Sequence, residues 1–546
     1  MKLSELARVY DKMIDAGGDP KRTKLLADAF RRADAKTLEA AAHLTLGELV
    51  SPQLTDKLGI GPGALRAALS ALSGQGDEEI DREVKRTGDL SDVVAALVKR
   101  GRDTLTVAEL WRRTNRAVAR GEDRAKLIEE VFASTSAAGA KYFTRMALNQ
   151  MRIGAGLGAI ARALAAAFDV DASAVERLYA MTNDIGLAAV KARRGARALE
   201  HAGLTPFRPY QFMNAHKMDD PDEVFRAFAG KQIIFEVKYD GARLQIHLKK
   251  AKRGGAEVRL YSRRLNDDTA AMPDVVAALR EAWRGGDAII EGEAVAFDPK
   301  LKRKLPFQSV LMRLGRVHGV EEKAREIPLV LYLFDVLYDD GEDLMRTPQG
   351  ARRARLEKLF RPTARVKMTE SIVTDRRAAE DRFFKKAIRA GQEGLMAKDP
   401  DAPYLPGRRT EHWLKIKPAF ETLDVVIVGG IYGSGRRRGL LSSLIVAVRD
   451  GEEYLTVGKV GTGFSEEALR DLTARLEPLV VSSRGHDVEI EPRVVIEVDF
   501  QDIQQTGRYR AGYALRIPRF KRERTDKSTR EADTLERLVR LYKQSH

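Results

Sequence analysis

The sequence predicts a multidomain protein, with an all-α segment over residues 1–205, a mixed α+β segment over 206–420 and a small β-barrel over 421–546. Three observations carry this division. A chain of 546 residues exceeds what one hydrophobic core organises. Near residue 205 the apolar period changes from three or four residues to two. Beyond Leu423 short alternating runs are separated by glycine-rich turns.

The first segment reads as helices because apolar residues share one helical face in Leu25-Leu26-Ala29-Phe30, Val93-Val94-Leu97-Val98 and Leu127-Ile128-Val131-Phe132. Thr106-x-x-Glu109 and Ser173-x-x-Glu176 are capping boxes that predict helix starts. Leu58-Gly-Ile-Gly-Pro-Gly63 resembles a helix-hairpin-helix turn whose amides can hold a phosphate; a plain interhelical turn fits it equally well. Gly154-x-Gly156-x-Gly158 mimics a dinucleotide loop, but helix-like sequence precedes it, so a Rossmann reading is rejected.

Two prolines in Leu204-Thr-Pro-Phe-Arg-Pro209 mark the change of period. Strands are expected at 233–238, 243–248, 257–261, 288–297 and 329–337, with helices at 273–283 and 351–359. In the last segment strands are expected at 424–429, 442–448, 454–460, 488–490 and 494–500, with one helix at 466–476. Five short strands in so short a stretch suit an OB-fold, a common nucleic-acid platform.

Composition narrows the function. Lys plus Arg number 95 against 79 Asp plus Glu, a formal charge of +16, which favours a polyanionic partner. From Gln501 onward 12 basic residues face 6 acidic ones, a density that points to phosphate contact ahead of a merely solvated face. With no cysteine, thiolate chemistry and cysteine zinc sites are excluded. No secretory signal or membrane span is read, so the expected compartment is the cytoplasm. No P-loop occurs, and Gly433-Ser-Gly-Arg-Arg-Arg-Gly439 fits no nucleotide motif by spacing.

The chemistry centres on Phe235-Glu-Val-Lys-Tyr-Asp-Gly-Ala-Arg243. It reads as a strand ending at an Asp-Gly turn, with a second strand beyond, and period two puts Glu236 and Lys238 on one face. Arg243, Gln245 and His247 share a face of the second strand. A lysine among polar groups beside a tight turn is a candidate nucleophile, and basic neighbours are expected to favour its free amine. Tyr261-Ser-Arg263, Glu291-Gly-Glu293, Tyr332-Leu-Phe-Asp-Val336, Glu393-Gly-Leu-Met-Ala-Lys398 and Gly407-Arg-Arg-Thr-Glu-His-Trp-Leu-Lys-Ile-Lys417 follow in order. Singly, Glu293 reads as a surface carboxylate, Phe334 as core, and Lys415 with Lys417 as an exposed strand face. Together in this order they do not.

The Lys-x-Asp-Gly-x-Arg stretch resembles the adenylation motif of covalent nucleotidyltransferases. The full series resembles ATP-dependent DNA ligases of the archaeal and eukaryotic replicative type over the whole chain. Ala514-Leu-Arg-Ile-Pro-Arg-Phe-Lys-Arg-Glu-Arg-Thr-Asp-Lys527 is similar to that group's last motif, with Ile517 in place of the usual Phe. Arg208-Pro-Tyr-Gln-Phe-Met213 departs from the usual Arg-Pro-x-x-Pro-Met-Leu. The resemblance implies a helical DNA-binding domain, an adenylation domain and an OB-fold domain. It implies that Lys238 attacks the α-phosphate of ATP, Glu236 reads the adenine amino group, Phe334 stacks on the base and Glu293 holds the ribose. Glu293 and Glu393 would place Mg²⁺ or Mn²⁺. Arg243, Arg263, Arg409, Lys415 and Lys417 would bind AMP or the nick phosphate. Asp240 would set the 3′-hydroxyl, and Arg516, Arg519, Arg524, Asp526 and Lys527 would orient pyrophosphate. The implied partner is nicked duplex DNA in the nucleoid, bound by a monomer. No sliding-clamp motif is legible at either end.

The rival readings are an RNA ligase or capping guanylyltransferase, an NAD-dependent ligase, and a non-catalytic nick-binding protein. The helical N-terminal segment and the Arg-x-Asp-Lys ending favour a DNA ligase over the first. The lack of cysteine disfavours the second, and the intact motif set disfavours the third.

Overall fold

The helical expectation for the N-terminal segment holds from Leu3–Asp15 to Ala196–Glu200, with no strand among the described residues in that span. The computed structural model describes all residues except 55–57, 99–101, 201–202, 219–220, 252–254, 299–302, 419–421, 434–436, 438, 501 and 546. The expected boundary at residue 420 and most of the Gly433–Gly439 loop therefore lie outside the described residues. Two compact units result, Met1–Lys417 and Pro418–His546.

The sequence periodicity builds the helical core directly. Leu26 and Phe30 of Asp19–Arg32 and Ile128, Val131 and Phe132 of Arg124–Ser134 are buried together. Thr106 caps Val107–Arg120 by accepting from the Glu109 amide at 3.1 Å. The second expected cap is corrected by two residues. Helix Ala172–Thr182 is capped by Asp171, whose carboxylate accepts from the Ser173 amide, because an aspartate upstream outcompetes the serine. Gly61 begins helix Pro62–Ser73, and Leu58 and Ile60 anchor the preceding turn in the core. Gly156 begins helix Leu157–Phe168 with a helix, Ala137–Ala147, before it, as the rejection of a Rossmann loop requires.

One buried polar cluster ties three helices. His43 contacts Glu48 at 2.7 Å and Asp184 at 3.3 Å, and stacks on Trp111 with ring centroids 4.3 Å apart. Burial disfavours the imidazolium, but the two carboxylates outweigh it and push the pKa up to about 9.

The α+β segment contains two sheets. The first comprises β1 (Asn214–Met218), β2 (Ile233–Lys238), β10 (Ser371–Thr374), β11 (Gly394–Lys398) and β12 (Arg409–Ile416), in the order β1-β12-β11-β2-β10. The second comprises β3 (Ala242–Lys250), β4 (Ala256–Ser262), β5 (Ala288–Asp298), β7 (Leu329–Asp339) and β8 (Glu342–Asp343), in the order β4-β3-β5-β7-β8. β6 (Arg303–Lys304) pairs with β5, and β9 (Val366–Met368) with β7. The expected strand, Asp-Gly turn and second strand are all present, but the two strands lie in different sheets. β2 and β3 do not pair with each other; the Asp240-Gly241 turn carries the chain from one sheet to the other. Side chains from both sheets then share cores: Val295 and Tyr332 pack with Phe235 and Leu395, and Ile289 and Leu337 with Trp413. Gln211 ties this segment to the helices through Asn183 at 2.5 Å and the Ala180 carbonyl at 2.7 Å.

The second unit is β-rich. β13 (Thr422–Tyr432), β14 (Leu441–Asp450) and β15 (Glu453–Val460) form a meander. β13 also pairs with β17 (Asp487–Ile490) and β18 (Val495–Asp499) along its other edge. β16 (Val480–Arg484), the pair β19 (Asp502–Gln505) and β20 (Tyr513–Arg516), and β21 (Arg519–Glu523) complete the strands. The predicted helix appears as Glu466–Leu476, capped by Ser465. A helix at Leu535–Ser545 was not foreseen. Among the described residues, no helix is long and apolar enough to cross a membrane.

Candidate active site

Lys238 ends β2 facing the segment that leads into β11. The Glu393 amide donates to the Lys238 carbonyl at 3.0 Å, and Gly394 pairs with Lys238 in register. Gly394 has φ +142°, and a Cβ there would stand 2.1 Å from the Ile416 carbonyl oxygen. Only glycine lets β11 pass that close to β12. The result is a bridge: the Glu393 carboxylate contacts the amines of both Lys238 and Lys417. Burial opposes ionisation of Glu393, but the two lysines outweigh it and hold its pKa below the usual glutamate value. Lys238 thus has the expected basic neighbour in Lys417, reached through a shared carboxylate.

Glu236, two residues back on the same face of β2, is 2% exposed. It accepts from Arg353 at 2.5 Å and pairs with Lys398 at 2.6 Å. The Lys398 amine lies 4.8 Å from the Phe334 ring centroid and 4.4 Å from that of Trp413. Phe334 reaches this position through an irregularity in the β5–β7 ladder. Glu291 pairs with Asp335 and Gly292 with Leu333, leaving Phe334 as an unpaired bulge. An aromatic ring, a buried carboxylate and a cation thus converge beside β2, two residues along the strand from Lys238.

Residues 2–165, 212–417 and 437–527 match, respectively, the families described as DNA ligase N terminus, ATP dependent DNA ligase domain and ATP dependent DNA ligase C terminal region. The DNA ligase of Thermococcus onnurineus is 39% identical over 99% of this chain and 98% of its own length. The DNA ligase of Methanopyrus kandleri is 37% identical over 100% of this chain and 99% of its own. The chain belongs to the ATP-dependent DNA ligase family. Its fold is also that of the solved structure named Pmar-Lig_PreS3, with a TM-score of 0.57 and 17% identity over 95% of this chain and 99% of that one.

In the ligase, Arg243 is committed to a largely buried cluster of polar and aromatic side chains. It donates to Glu291 at 2.6 Å and to the Met213 carbonyl at 2.8 Å, under the rings of Phe212, Trp413 and Phe334. Glu291 also accepts from the hydroxyls of Tyr210 and Tyr404, each at 2.6 Å. Glu293 pairs in register with Arg243 and Tyr332. Burial pushes its pKa up to about 7 against the pull of Lys238 and Arg243, with Glu393 and Asp240 adding to the rise. Lys415 faces Met396 across the ladder; burial, then Lys417, Arg409 and Lys238, lower its pKa to about 8. Asp240 sits in the crossing turn. There Gly241 approaches β5 so closely that a Cβ would lie 2.4 Å from the Ala294 carbonyl oxygen.

Arg263 and Arg409 meet at the edge of this constellation, Arg263 donating to Asn214 at 3.3 Å and Arg409 to the Ala215 carbonyl at 3.2 Å. Among the described residues, no group of three or more His, Asp or Glu side chains gathers as a metal site. Glu293 and Glu393 remain as oxygen donors, and Mg²⁺ commonly takes one or two carboxylates with phosphates and water completing its shell.

In the second unit, Arg524 and Lys527 both engage the buried carboxylate of Asp424, at 2.7 and 2.6 Å, and Arg524 also pairs with Asp526 at 2.8 Å. Arg516 ends β20 and Arg519 begins β21. Between them Ile517 is 52% exposed with φ +50°, a strained conformation for a β-branched residue. Sequence reasoning left out Arg353, Lys398 and Trp413, which the structure brings to Glu236 and Phe334. Lys398 and Trp413 stood inside quoted motifs, and their alternation with Met396 and Lys415 was the available signal. Arg353, 117 residues from Glu236, had none.

Proposed function

We propose that the ligase seals nicks carrying a 5′-phosphate and a 3′-hydroxyl in duplex DNA, with Lys238 as the adenylylated nucleophile. The observation that carries this reading is the placement of Lys238 beside the Glu393–Lys417 bridge and two residues along β2 from Glu236, whose partner Lys398 lies over Phe334. The Lys238 amine, having lost its ammonium proton, attacks the α-phosphorus of ATP. An N–P bond forms and the bond to pyrophosphate breaks. The 5′-phosphate of the nick then attacks that phosphorus, breaking the N–P bond and capping the DNA with AMP. Finally the 3′-hydroxyl loses its proton and attacks the 5′-phosphate, expelling AMP.

Glu236 accepts from the adenine amino group, Phe334 stacks on the ring, and Glu293 holds the ribose. Arg263, Arg409, Lys415 and Lys417 surround the phosphates, with Arg243 supporting them from its buried cluster. Asp240 orients the 3′-hydroxyl. Preorganised cations of this kind stabilise charge that builds on phosphoryl oxygens. Glu293 and Glu393 hold Mg²⁺ or Mn²⁺, which when bound neutralises phosphate charge. Arg516, Arg519, Arg524, Asp526 and Lys527 orient the departing pyrophosphate. The formal charge of +16 supports binding to the DNA backbone without sequence preference. We place the ligase on nucleoid DNA in the cytoplasm, as a monomer that serves replication, repair or recombination.

Intact mass after incubation with Mg²⁺ and ATP tests the covalent step. A gain of one AMP is expected, absent in Lys238→Ala. The same preparation should then close a labelled DNA nick. A mass gain that persists in Lys238→Ala, or adenylylated protein that cannot pass AMP to nicked DNA, would overturn the assignment.

A further inference from the structure

Pairing of β6 with β5 brings a lysine outside every recognised motif close to the crossing turn after Lys238. Lys304 pairs in register with Phe297, so its side chain projects on the face of β5 that also carries Glu293 and Val295. That face packs toward β2, as the contacts of Val295 show. The Lys304 Cε lies 3.6 Å from the position a Cβ would take on Gly391, in the turn just before Glu393. Its amine is half-buried and feels three charges: Asp240 from the crossing turn, Glu393 from the approach to β11, and Lys238 from β2. Burial lowers its pKa, and no hydrogen bond contributes.

Strand register separates Lys304 from the cations already placed. Moving from Glu236 to Lys238 to Asp240 follows the chain away from the Phe334 end, about 3.3 Å per residue over the strand. Ala294 is the last β5 residue paired with β3, opposite Ala242 just after the crossing turn, so Lys304 opposite Phe297 stands past that turn on the Asp240 side, where the ends of a nick would lie if the adenine occupies the Phe334 end. A half-buried amine near two carboxylates is well placed to exchange them for a phosphate. Such charge-assisted bonds are short and strong in a partly desolvated site.

We propose that Lys304 is a phosphate-positioning residue for the DNA half of the reaction, holding the nick's 5′-phosphate beside Asp240 while the 3′-hydroxyl attacks. This rests on the nick-sealing reading above. The test measures the steps separately in wild type, Lys304→Met and Lys304→Arg. Adenylylation is followed by intact mass, and closure by gel on a nick that already carries the 5′-AMP cap. In Lys304→Met, closure should slow roughly ten- to hundredfold while adenylylation changes less than about threefold; Lys304→Arg should restore closure to within about threefold of wild type. Closure unaffected in Lys304→Met, both steps slowed equally, or no rescue by arginine would each overturn the inference. Failure of the wild type to close the capped nick would count against the nick-sealing reading itself, which makes the two failures distinguishable.

Discussion

Replacing Gly394 with alanine should disable the first chemical step without touching any polar group of the site. The new Cβ would begin 2.1 Å from the Ile416 oxygen, and contacts under 3.0 Å are not tolerated, so β11 and β12 must separate by about 0.9 Å. The backbone at φ +142° adds strain on the order of 1–3 kcal/mol for a residue with a side chain. Glu393 immediately precedes this point and bridges Lys238 and Lys417, so the displacement passes directly to the reacting amine. A misplacement of about 1 Å at a reacting group costs roughly a hundredfold in rate. Single-turnover adenylylation, read by intact mass beside a thermal melt, measures both effects. Gly230→Ala is the control, having φ +77° but open space around its Cβ position, so it carries strain without displacement. If Gly394→Ala remained folded and adenylylated within about threefold of wild type, the reasoning from close approach to catalysis would be refuted.

Three further outcomes follow from the same structure. His43, ordinarily near 6.5 and raised to about 9, contributes about 3 kcal/mol of stability that is fully present below pH 6.5 and lost as pH rises through 9. Urea unfolding from pH 6 to 10 should show that fall in wild type and not in His43→Gln, and parallel curves would remove the cluster from the account. Lys398→Met leaves Glu236 facing Arg353 alone in a buried site and should destabilise the first unit by about 3–5 kcal/mol; a loss below about 1 kcal/mol by chemical denaturation contradicts that. Ile517→Asn should raise the unfolding free energy by about 1 kcal/mol, since asparagine tolerates the left-handed region that costs isoleucine; an unchanged or lower melting temperature argues against strain at Ile517.

Local pattern was a sufficient guide wherever one element decides its own geometry. The strand Ile233–Lys238 and the helix Glu466–Leu476 were legible to the residue, because alternation in one and an i, i+4 stripe behind a serine cap in the other leave little choice. The Ser173 cap was misplaced because Asp171, two residues upstream, is an equally good capping residue, and only the amide that is actually satisfied tells them apart. The motif order in turn pointed to the family that the full-length relatives show.

What the sequence determined by itself, then, was the family to which the chain belongs and the kind of element in which each motif resides. Tertiary structure alone decided that β2 and β3 belong to different sheets, since strand pairing is settled by partners far along the chain rather than by the turn between them. It also decided that Arg353 closes on Glu236, that Arg243 turns inward to Glu291, and that Lys304 reaches the neighbourhood of Lys238. None of these has a local signature, because each depends on a charge or carboxylate delivered from another strand, and such meetings exist only once the sheets have packed.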